Sequence, residues 1–227
     1  MIKAILIDID DTLLDFSINS SLAIKEAFLH LGLKFTDDIC EVFQNINREF
    51  WKKIESKEIT LQQLRNDRWK VIFSRLNIVA DGHKMEKEFL ANLNTQAEKI
   101  QGAEELLEYL SSKYIVCSAS NAPESQQIAR LELSGLKKYI THQFISSRVG
   151  VDKPDAKFFE YCINHLEGIN IDEVVMIGDS IHADIVGAKN FGIKTIWFNK
   201  DNITILENER VMVDYSVNNL LEIKEIL

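Results

Sequence analysis

The segment that most constrains the fold is the N-terminal stretch from Ile2 to Asp15, in which an apolar run ends abruptly in acidic residues. The nearly continuous apolar pattern from Ile2 to Ile7 predicts a short strand that is buried on both faces. Asp8 then lies at the carboxyl end of this strand, and Asp10 points the same way because side chains alternate along an extended chain. Two like charges this close disfavour folding unless a cation or a substrate compensates them. The alternative interpretation is a helix-capping or turn cluster.

The composition indicates one large globular domain, or a core domain that carries an insertion. The chain has 227 residues, of which 46% are hydrophobic, and this is enough for a sizeable core. Its net charge of -9 disfavours binding to nucleic-acid polymers. We find no apolar run of the ~20 residues that a membrane span needs, and no signal-peptide pattern. Because Cys40, Cys117 and Cys162 match neither a metal-binding spacing nor a disulfide framework, we predict a reduced, cytoplasmic setting.

A helical module is predicted to follow the first strand. Residues 16–100 contain no proline, and apolar residues recur there three times at the i, i+3, i+4, i+7 spacing of a helix, first from Ile24 onwards. Met85, Phe89 and Leu93 form a weaker fourth set. Thr60 and Gln63 match a capping box that would start one of these helices. The sequence therefore predicts a bundle of helices over 16–100.

Strands and helices alternate in the rest of the chain. The β-rich runs predict strands at 114–119, 143–146, 174–177, 194–198 and 211–215. Helical patterns lie between them, and two of these helices are predicted to start at or near Pro123 and Pro154.

This alternation predicts the fold class and the domain organisation. Strand–helix alternation implies parallel pairing through right-handed crossovers. The prediction is therefore an α/β fold with a doubly wound parallel sheet, formed by residues 1–15 and 101–227. Residues 16–100 would be a helical domain inserted after the first strand.

Polar side chains collect at the predicted carboxyl ends of the strands, where ligands bind in such folds. They are four acids, one lysine, one hydroxyl and one amide: Asp8, Asp10, Asp179, Asp184, Lys153, Ser120 and Asn121. Several carboxylates with no arginine nearby predict a site for a hard cation with oxygen ligands, for which Mg²⁺ fits best. The lysine and the hydroxyl suit an anionic oxygen ligand.

This set of groups predicts phosphoryl-transfer chemistry. A carboxylate can attack phosphorus and form an aspartyl-phosphate. A second carboxyl group two residues further on could protonate the leaving oxygen and then deprotonate water. A metal ion would shield the nucleophile from the phosphate, since the two anions otherwise repel each other.

Four motifs, in the family's order, make the whole chain resemble the haloacid dehalogenase superfamily of phosphohydrolases. The motifs are Asp8-Ile9-Asp10-Asp11-Thr12, then Ser120, then Lys153 within 150–154, and Gly178-Asp179-Ser180-Ile181-His182-Ala183-Asp184. The resemblance implies that Asp8 is the nucleophile and a Mg²⁺ ligand. It also implies that Asp10 is the general acid/base, with its backbone carbonyl on the metal.

The resemblance implies roles for the other residues as well. Ser120 and Asn121 would hold phosphate, and Lys153 would steady both Asp8 and the phosphate. Asp179 would bind Mg²⁺ directly, whereas Asp184 would act through water or support the direct ligands. The insertion at 16–100 would be a helical cap that closes over the site.

Three stretches are similar to bacterial pyrimidine 5′-nucleotidases of this superfamily: Asp11–Phe16, Ile46–Trp51 and Gly178–Ser180. The similarity implies a nucleoside monophosphate as substrate. The expected partner is thus a small phosphorylated metabolite, for an enzyme that is a monomer or a homodimer. Ala122 departs from the pattern, because many relatives have glycine there, which lets the backbone approach phosphate closely.

Other functions stay open at this point. One is a phosphatase for another small metabolite such as a sugar phosphate, and another is a mutase that moves a phosphoryl group between sugar hydroxyls. A 2-haloacid dehalogenase is a third, although Asp10 and Asp179 argue against it. A non-catalytic binding protein is a fourth, and the presence of Asp8, Asp10 and Lys153 argues against that.

Overall fold

The computed structural model describes residues 1–227, with the side chain of Asn208 outside the description. The chain divides into two compact units, one formed by residues 1–15 and 98–227 and the other by residues 16–97. The second boundary thus falls before the predicted one at residue 100. The reason is backbone pairing, because the N–H of Asp15 donates to the carbonyl of Glu98 (2.9 Å) and that of Ile100 to the carbonyl of Leu13 (3.0 Å).

The smaller unit is helical. Its described backbone forms α1 (Phe16–His30), α2 (Asp38–Glu55), α3 (Leu61–Arg75) and α4 (Gly82–Leu93). Apolar residues at the predicted helical spacing pack into one core, which includes the rings of Phe28, Phe43, Trp69 and Phe89. The predicted capping box at the start of α3 is confirmed, since Thr60 and Gln63 exchange hydrogen bonds between side chain and backbone N–H.

The larger unit is built on a parallel sheet. In the part of the chain that the structure describes, six strands lie in the order β3-β2-β1-β4-β5-β6. They are β1 (Ala4–Ile7), β2 (Ile115–Ser120), β3 (His142–Ile145), β4 (Val174–Gly178), β5 (Lys194–Phe198) and β6 (Tyr215–Val217). All neighbouring strands pair in parallel, as predicted.

Helices cover both faces of this sheet. They are α5 (Ala103–Ser111), α6 (Glu124–Leu133), α7 (Ser146–Val149), α8 (Ala156–Asn164), α9 (Gly187–Phe191), α10 (Glu207–Arg210) and α11 (Ile223–Ile226). Because side chains alternate along β1, Ile5 and Ile7 pack into one core with α5 and α11, whereas Ala4 and Leu6 pack into a second core with α8 and α9. The predicted doubly wound α/β fold is confirmed. None of the described helices is long and apolar enough to cross a membrane.

Two predicted elements begin two or more residues later than expected. The last strand forms at Tyr215–Val217 and not at 211–215, because the preceding segment turns back onto β5. There the hydroxyl of Thr195 donates to the carbonyl of Met212, and the N–H of Thr195 donates to the Asp214 carboxylate. Helix α8 begins at Ala156 and not at Pro154, because the Asp155 side chain caps it.

A further difference concerns the helix predicted over 183–191. In the structure, this segment starts with a π-helical turn at Ile181–Val186, and α9 follows it directly. The backbone carbonyl of Ser180 accepts hydrogen bonds from the N–H groups of both Asp184 (3.0 Å) and Ile185 (3.2 Å). The widened turn therefore begins directly after Ser180, which lies two residues beyond the end of β4.

Candidate active site

The strand order brings the predicted site residues to one edge of the sheet. Strand β1 lies between β2 and β4, so the residues at the carboxyl ends of these three strands are neighbours. Asp8 follows β1, Ser120 ends β2, and Asp179 follows β4. Ligands bind at this edge in open α/β sheets, at the point where the strand order reverses.

Lys153 connects the nucleophile candidate with a second acid. Its side chain is almost fully buried, at 2% exposure, and its ammonium group donates to Asp8 Oδ1 (2.7 Å), Asp184 Oδ1 (2.6 Å) and the carbonyl of Ala119 (2.5 Å). Burial by itself would lower the pKa of Lys153, but the carboxylates of Asp184 and Asp8 outweigh burial and raise this pKa. Lys153 is therefore a fixed positive charge beside Asp8.

The backbone of Lys153 is also held in place. The Asn121 amide donates to the carbonyl of Lys153 (2.8 Å), and the N–H of Lys153 donates back to Asn121 Oδ1 (2.9 Å). On the other side, a Cβ atom at Gly187 would lie only 2.9 Å from the Cα atom of Pro154, so this contact requires glycine. The Asn121 side chain thus positions Lys153, and its contact with phosphate stays a prediction.

Three carboxylates form an acidic cluster, and two of them bind this lysine. One oxygen from each of Asp8, Asp179 and Asp184 lies within 4.8 Å of the others. Burial, with the nearby Asp184 charge adding to it, raises the pKa of Asp8 to about 8 despite the opposing effect of Lys153. Burial and the charges of Asp11 and Asp8 likewise raise the pKa of Asp179 well above its usual range.

The acidic cluster fits a divalent cation of the magnesium type. When all three carboxylates are ionised, one lysine cannot neutralise them, and a cation would remove the excess of negative charge. All three side chains offer carboxylate oxygens, the ligands that Mg²⁺ and Ca²⁺ take in proteins. Asp8, Asp179 and Asp184 therefore suit such an ion by both charge and chemistry.

The cluster depends on close approach of Asp184 to the end of β4. A Cβ atom at Gly178 would lie 2.2 Å from Asp184 Oδ2, a distance that no side chain tolerates. Asp184 cannot easily move away, because Lys153 binds its Oδ1 and the N–H of Ser180 donates to its Oδ2 (3.1 Å). Glycine at position 178 thus makes room for the acid.

The substitution Gly178→Ala is expected to lower the free energy of unfolding by about 3 kcal/mol, the upper range for forcing extra volume into a packed site. Urea denaturation measures this loss. In the double variant Gly178→Ala/Asp184→Ala the two shortest contacts are removed and only the Cβ–Cβ contact at 2.7 Å remains, so its loss should be smaller than the sum of the two single losses. Strictly additive losses would contradict the steric explanation.

The side chain of Asp10 binds residues of α6. Arg130 Nη1 donates to Asp10 Oδ1 (2.5 Å), and Gln127 Nε2 donates to Asp10 Oδ2 (2.6 Å). The expectation that no arginine lies near these carboxylates is wrong. Residue 130 is far from residue 10 along the chain, but the packing of α6 against the sheet brings the two together. A signal was present, because Gln127 and Arg130 lie at i, i+3 next to Leu131 on one face of a predicted helix.

Ser120 is prepared to donate a hydrogen bond. Its hydroxyl oxygen accepts from Gln127 Nε2 (2.9 Å) and from the N–H of Ala122 (3.2 Å). Because both acceptor positions of a hydroxyl are then used, its proton is directed to an acceptor elsewhere. The N–H of Ala122 therefore supports the hydroxyl group.

Other residues around the site were not predicted from the sequence. Thr12 Oγ1 donates to Asp179 Oδ1 (3.3 Å), and Trp197 Nε1 donates to the backbone carbonyl of Asp179 (2.9 Å). Lys200, just beyond β5, donates to Asp11 Oδ1 (2.6 Å). Asp179 is thus fixed at both its side chain and its backbone.

Comparison with known proteins places this site in a family. The model of the haloacid dehalogenase-like hydrolase family matches residues 2–192, which is most of the chain. The chain therefore belongs to this hydrolase family, and the resemblance inferred from the four motifs is confirmed.

Individual relatives cover nearly the full length. Pyrimidine 5′-nucleotidase PynA of Streptococcus pneumoniae is 34% identical over 202 residues, which are 88% of this chain and 85% of PynA. Pyrimidine 5′-nucleotidase YjjG of Escherichia coli is 28% identical over 223 residues, or 98% of this chain and 96% of YjjG. The crystal structure of the HAD-hydrolase YfnB of Bacillus subtilis bound to magnesium matches with a TM-score of 0.93 and 27% identity, covering 100% of this chain and 98% of that one.

Proposed function

We propose that this protein is a Mg²⁺-dependent phosphomonoesterase that hydrolyses nucleoside 5′-monophosphates through an aspartyl-phosphate on Asp8. The observation that carries the proposal is the hydrogen bond from Lys153 to Asp8 Oδ1 (2.7 Å) within the acidic cluster. This hydrogen bond brings the proposed nucleophile and a fixed positive charge together, next to the candidate cation site. The names of PynA and YjjG, both pyrimidine 5′-nucleotidases, support the substrate class.

In this mechanism, the two oxygens of Asp8 have separate tasks. Lys153 holds Oδ1, so Oδ2 attacks the phosphorus atom and the bond from phosphorus to the leaving oxygen breaks. The positive charge of Lys153 attracts the phosphoryl oxygens, on which negative charge develops, and the hydroxyl of Ser120 donates to one of them. Asp8, Asp179 and the backbone carbonyl of Asp10 would hold Mg²⁺, which shields the two anions from each other.

Asp10 transfers protons in both halves of the reaction. It first gives a proton to the leaving oxygen of the nucleoside. It then takes a proton from the water that attacks the aspartyl-phosphate, so that phosphate is released and Asp8 is regenerated. One carboxyl group can serve both halves of the reaction, because the proton that Asp10 gives to the leaving oxygen is replaced by the proton that it takes from water.

A substrate panel tests this proposal. Phosphate release is measured with Mg²⁺ for pyrimidine and purine nucleoside monophosphates, sugar phosphates and small phosphorylated acids. We expect the highest kcat/KM for a pyrimidine nucleotide and loss of activity with a chelator. Equal rates for all compounds would contradict the nucleotidase assignment alone.

Two other outcomes would overturn further parts of the proposal. Absence of phosphate release from every compound would overturn the phosphatase itself, and full activity in the presence of chelator would overturn its Mg²⁺ dependence. Chloride release from a 2-chloroalkanoic acid without metal would instead indicate a dehalogenase.

The helical unit 16–97 is proposed to act as the cap of this enzyme. A cap of this kind excludes water from the phosphoryl-transfer step and admits substrate when it opens. We further propose a cytoplasmic enzyme, on the basis of its unpaired cysteines.

A further inference from the structure

One helix holds the general acid/base candidate by two side chains. Gln127 and Arg130 on α6 are both fully buried, and each donates to a different oxygen of Asp10. Residues three apart on a helix lie on the same face, so α6 presents both donors together. The second hydrogen of the Gln127 amide is directed to Ser120 Oγ (2.9 Å), so one amide group connects Asp10 with Ser120.

We propose that Gln127 and Arg130 are positioning residues, which fix the Asp10 carboxyl group for proton transfer to the leaving oxygen and fix Ser120 relative to it. This inference rests on the proposed function, in which Asp10 is the general acid. Neither residue touches the substrate in this scheme, because both side chains are fully buried beneath Asp10.

A second buried arginine of this protein shows what a purely structural ion pair looks like. Arg68 in the helical unit donates to both oxygens of Glu86 (2.8 and 2.9 Å), and both side chains are buried, at 4% and 8% exposure. The guanidinium group also lies over the rings of Phe43 and Phe89. This pair is enclosed within one hydrophobic core.

The Arg130 pair differs in its exposure. Arg130 has no exposed surface, but the Asp10 side chain is 23% exposed. The pair therefore has one end enclosed by the protein and one end open towards the carboxyl edge of the sheet. Such an arrangement fixes a reactive group without covering it.

Without this positioning, the decrease in kcat/KM should depend on the acidity of the leaving group. A weakly acidic alcohol needs a proton from Asp10 as its bond to phosphorus breaks, whereas an acidic phenol leaves without one. A substitution that merely loosens the fold would instead slow all substrates by the same factor. The dependence of kcat/KM on leaving-group acidity thus separates the two explanations, because kcat/KM reports only steps up to formation of the aspartyl-phosphate.

The experiment compares wild type, Arg130→Met, Arg130→Lys and Gln127→Leu on a series of substituted phenyl phosphates of similar size. We expect Arg130→Met to lower kcat/KM by about 100-fold for the least acidic phenol, within the range of general acid catalysis, and by less than about tenfold for 4-nitrophenol. Gln127→Leu should show the same trend with a smaller amplitude. Gln127→Leu therefore still tests the inference if Arg130→Met does not fold. Arg130→Lys should recover part of the loss.

Arg68→Met is the matched control, since it removes a buried arginine from a carboxylate in the same way. Its effect on kcat/KM should be equal for all leaving groups. The double variant Asp10→Asn/Arg130→Met should be no slower than Asp10→Asn alone, because the positioned group is already absent. Equal losses for all phenols in both Arg130→Met and Gln127→Leu would overturn the inference.

Asp10→Asn alone distinguishes this inference from the proposed function. If Asp10→Asn makes kcat/KM depend more steeply on the acidity of the leaving group, and Arg130→Met and Gln127→Leu do not, only the positioning role is overturned. If it leaves that dependence unchanged, Asp10 is not the general acid, and the proposed mechanism fails together with the inference.

Discussion

The variant Asp8→Asn is expected to lose phosphatase activity by a factor of about 10⁴ or more, as other hydrolases do without their nucleophile. The asparagine side chain has nearly the same shape, and its oxygen can still accept the hydrogen bond that Lys153 donates to Asp8 Oδ1. It offers no carboxylate to attack phosphorus, so no aspartyl-phosphate forms.

The fold of this variant should remain intact. Burial raises the pKa of Asp8 to about 8, which shows that the charged carboxylate is costly at this position. Removing the charge leaves two acids of the cluster beside Lys153. Without metal, the thermal midpoint of Asp8→Asn should therefore be no lower than that of wild type. Added Mg²⁺ should raise it less, because one ligand charge is lost.

Two assays and one control test this prediction. Phosphate release from a pyrimidine nucleotide measures the activity, and thermal unfolding with and without Mg²⁺ measures the stability. Asp172→Asn makes the same chemical change on an exposed side chain and should match wild type in both assays. Activity of Asp8→Asn above about 1% of wild type would show that a different group is the nucleophile.

The sheet and its ligand edge could be predicted because their signals are local. A short apolar run such as residues 4–7 forms a buried strand wherever it finds partners, and strand–helix alternation leaves parallel pairing as the consistent topology. Parallel strands end at the same edge, so Asp8, Ser120 and Asp179 were expected to meet there. The structure brings them to adjacent strand ends.

The environment of Asp10 could not be predicted, because it depends on how α6 packs. Sequence patterns place arginine and glutamine on exposed helix faces, since burying them costs free energy unless partners are present. The partners of Gln127 and Arg130 are Asp10 and Ser120, which belong to other elements. Their burial is therefore a consequence of the site, and the i, i+3 spacing within α6 shows only that the two side chains share one face.

Element boundaries failed for a similar reason. The start of α8 is set by the Asp155 side chain, and the start of β6 by hydrogen bonds from Thr195 to residues 212 and 214. Local propensity does not contain these tertiary contacts.

Replacing Lys153 by methionine is expected to abolish activity and to cost about 3–5 kcal/mol of the free energy of unfolding, the usual range for breaking a buried ion pair. Methionine has a similar length but no charge. It leaves the buried carboxylates of Asp8 and Asp184 without the ammonium group that binds both of them, at 2.7 and 2.6 Å. Urea denaturation in the presence of chelator measures the loss.

Added Mg²⁺ should distinguish the role of Lys153 in stability from its role in catalysis. The variant has one more uncompensated negative charge than wild type, so added Mg²⁺ should raise its denaturation midpoint by more than that of wild type. Activity should not return, because the ammonium group that holds Asp8 Oδ1 is still absent. The charge-reducing double variant Lys153→Met/Asp184→Asn should likewise regain stability without activity.

Lys189→Met is the control for these measurements. Lys189 pairs with Asp214 beside β5, and both side chains are about one-third exposed. A pair of this kind contributes at most about 1 kcal/mol, so its loss should be small and unaffected by Mg²⁺. If Lys153→Met unfolds at the same urea concentration as Lys189→Met, the acidic cluster does not depend on Lys153 for its charge balance. If Lys153→Met still releases phosphate at the wild-type rate, the lysine takes no part in the reaction.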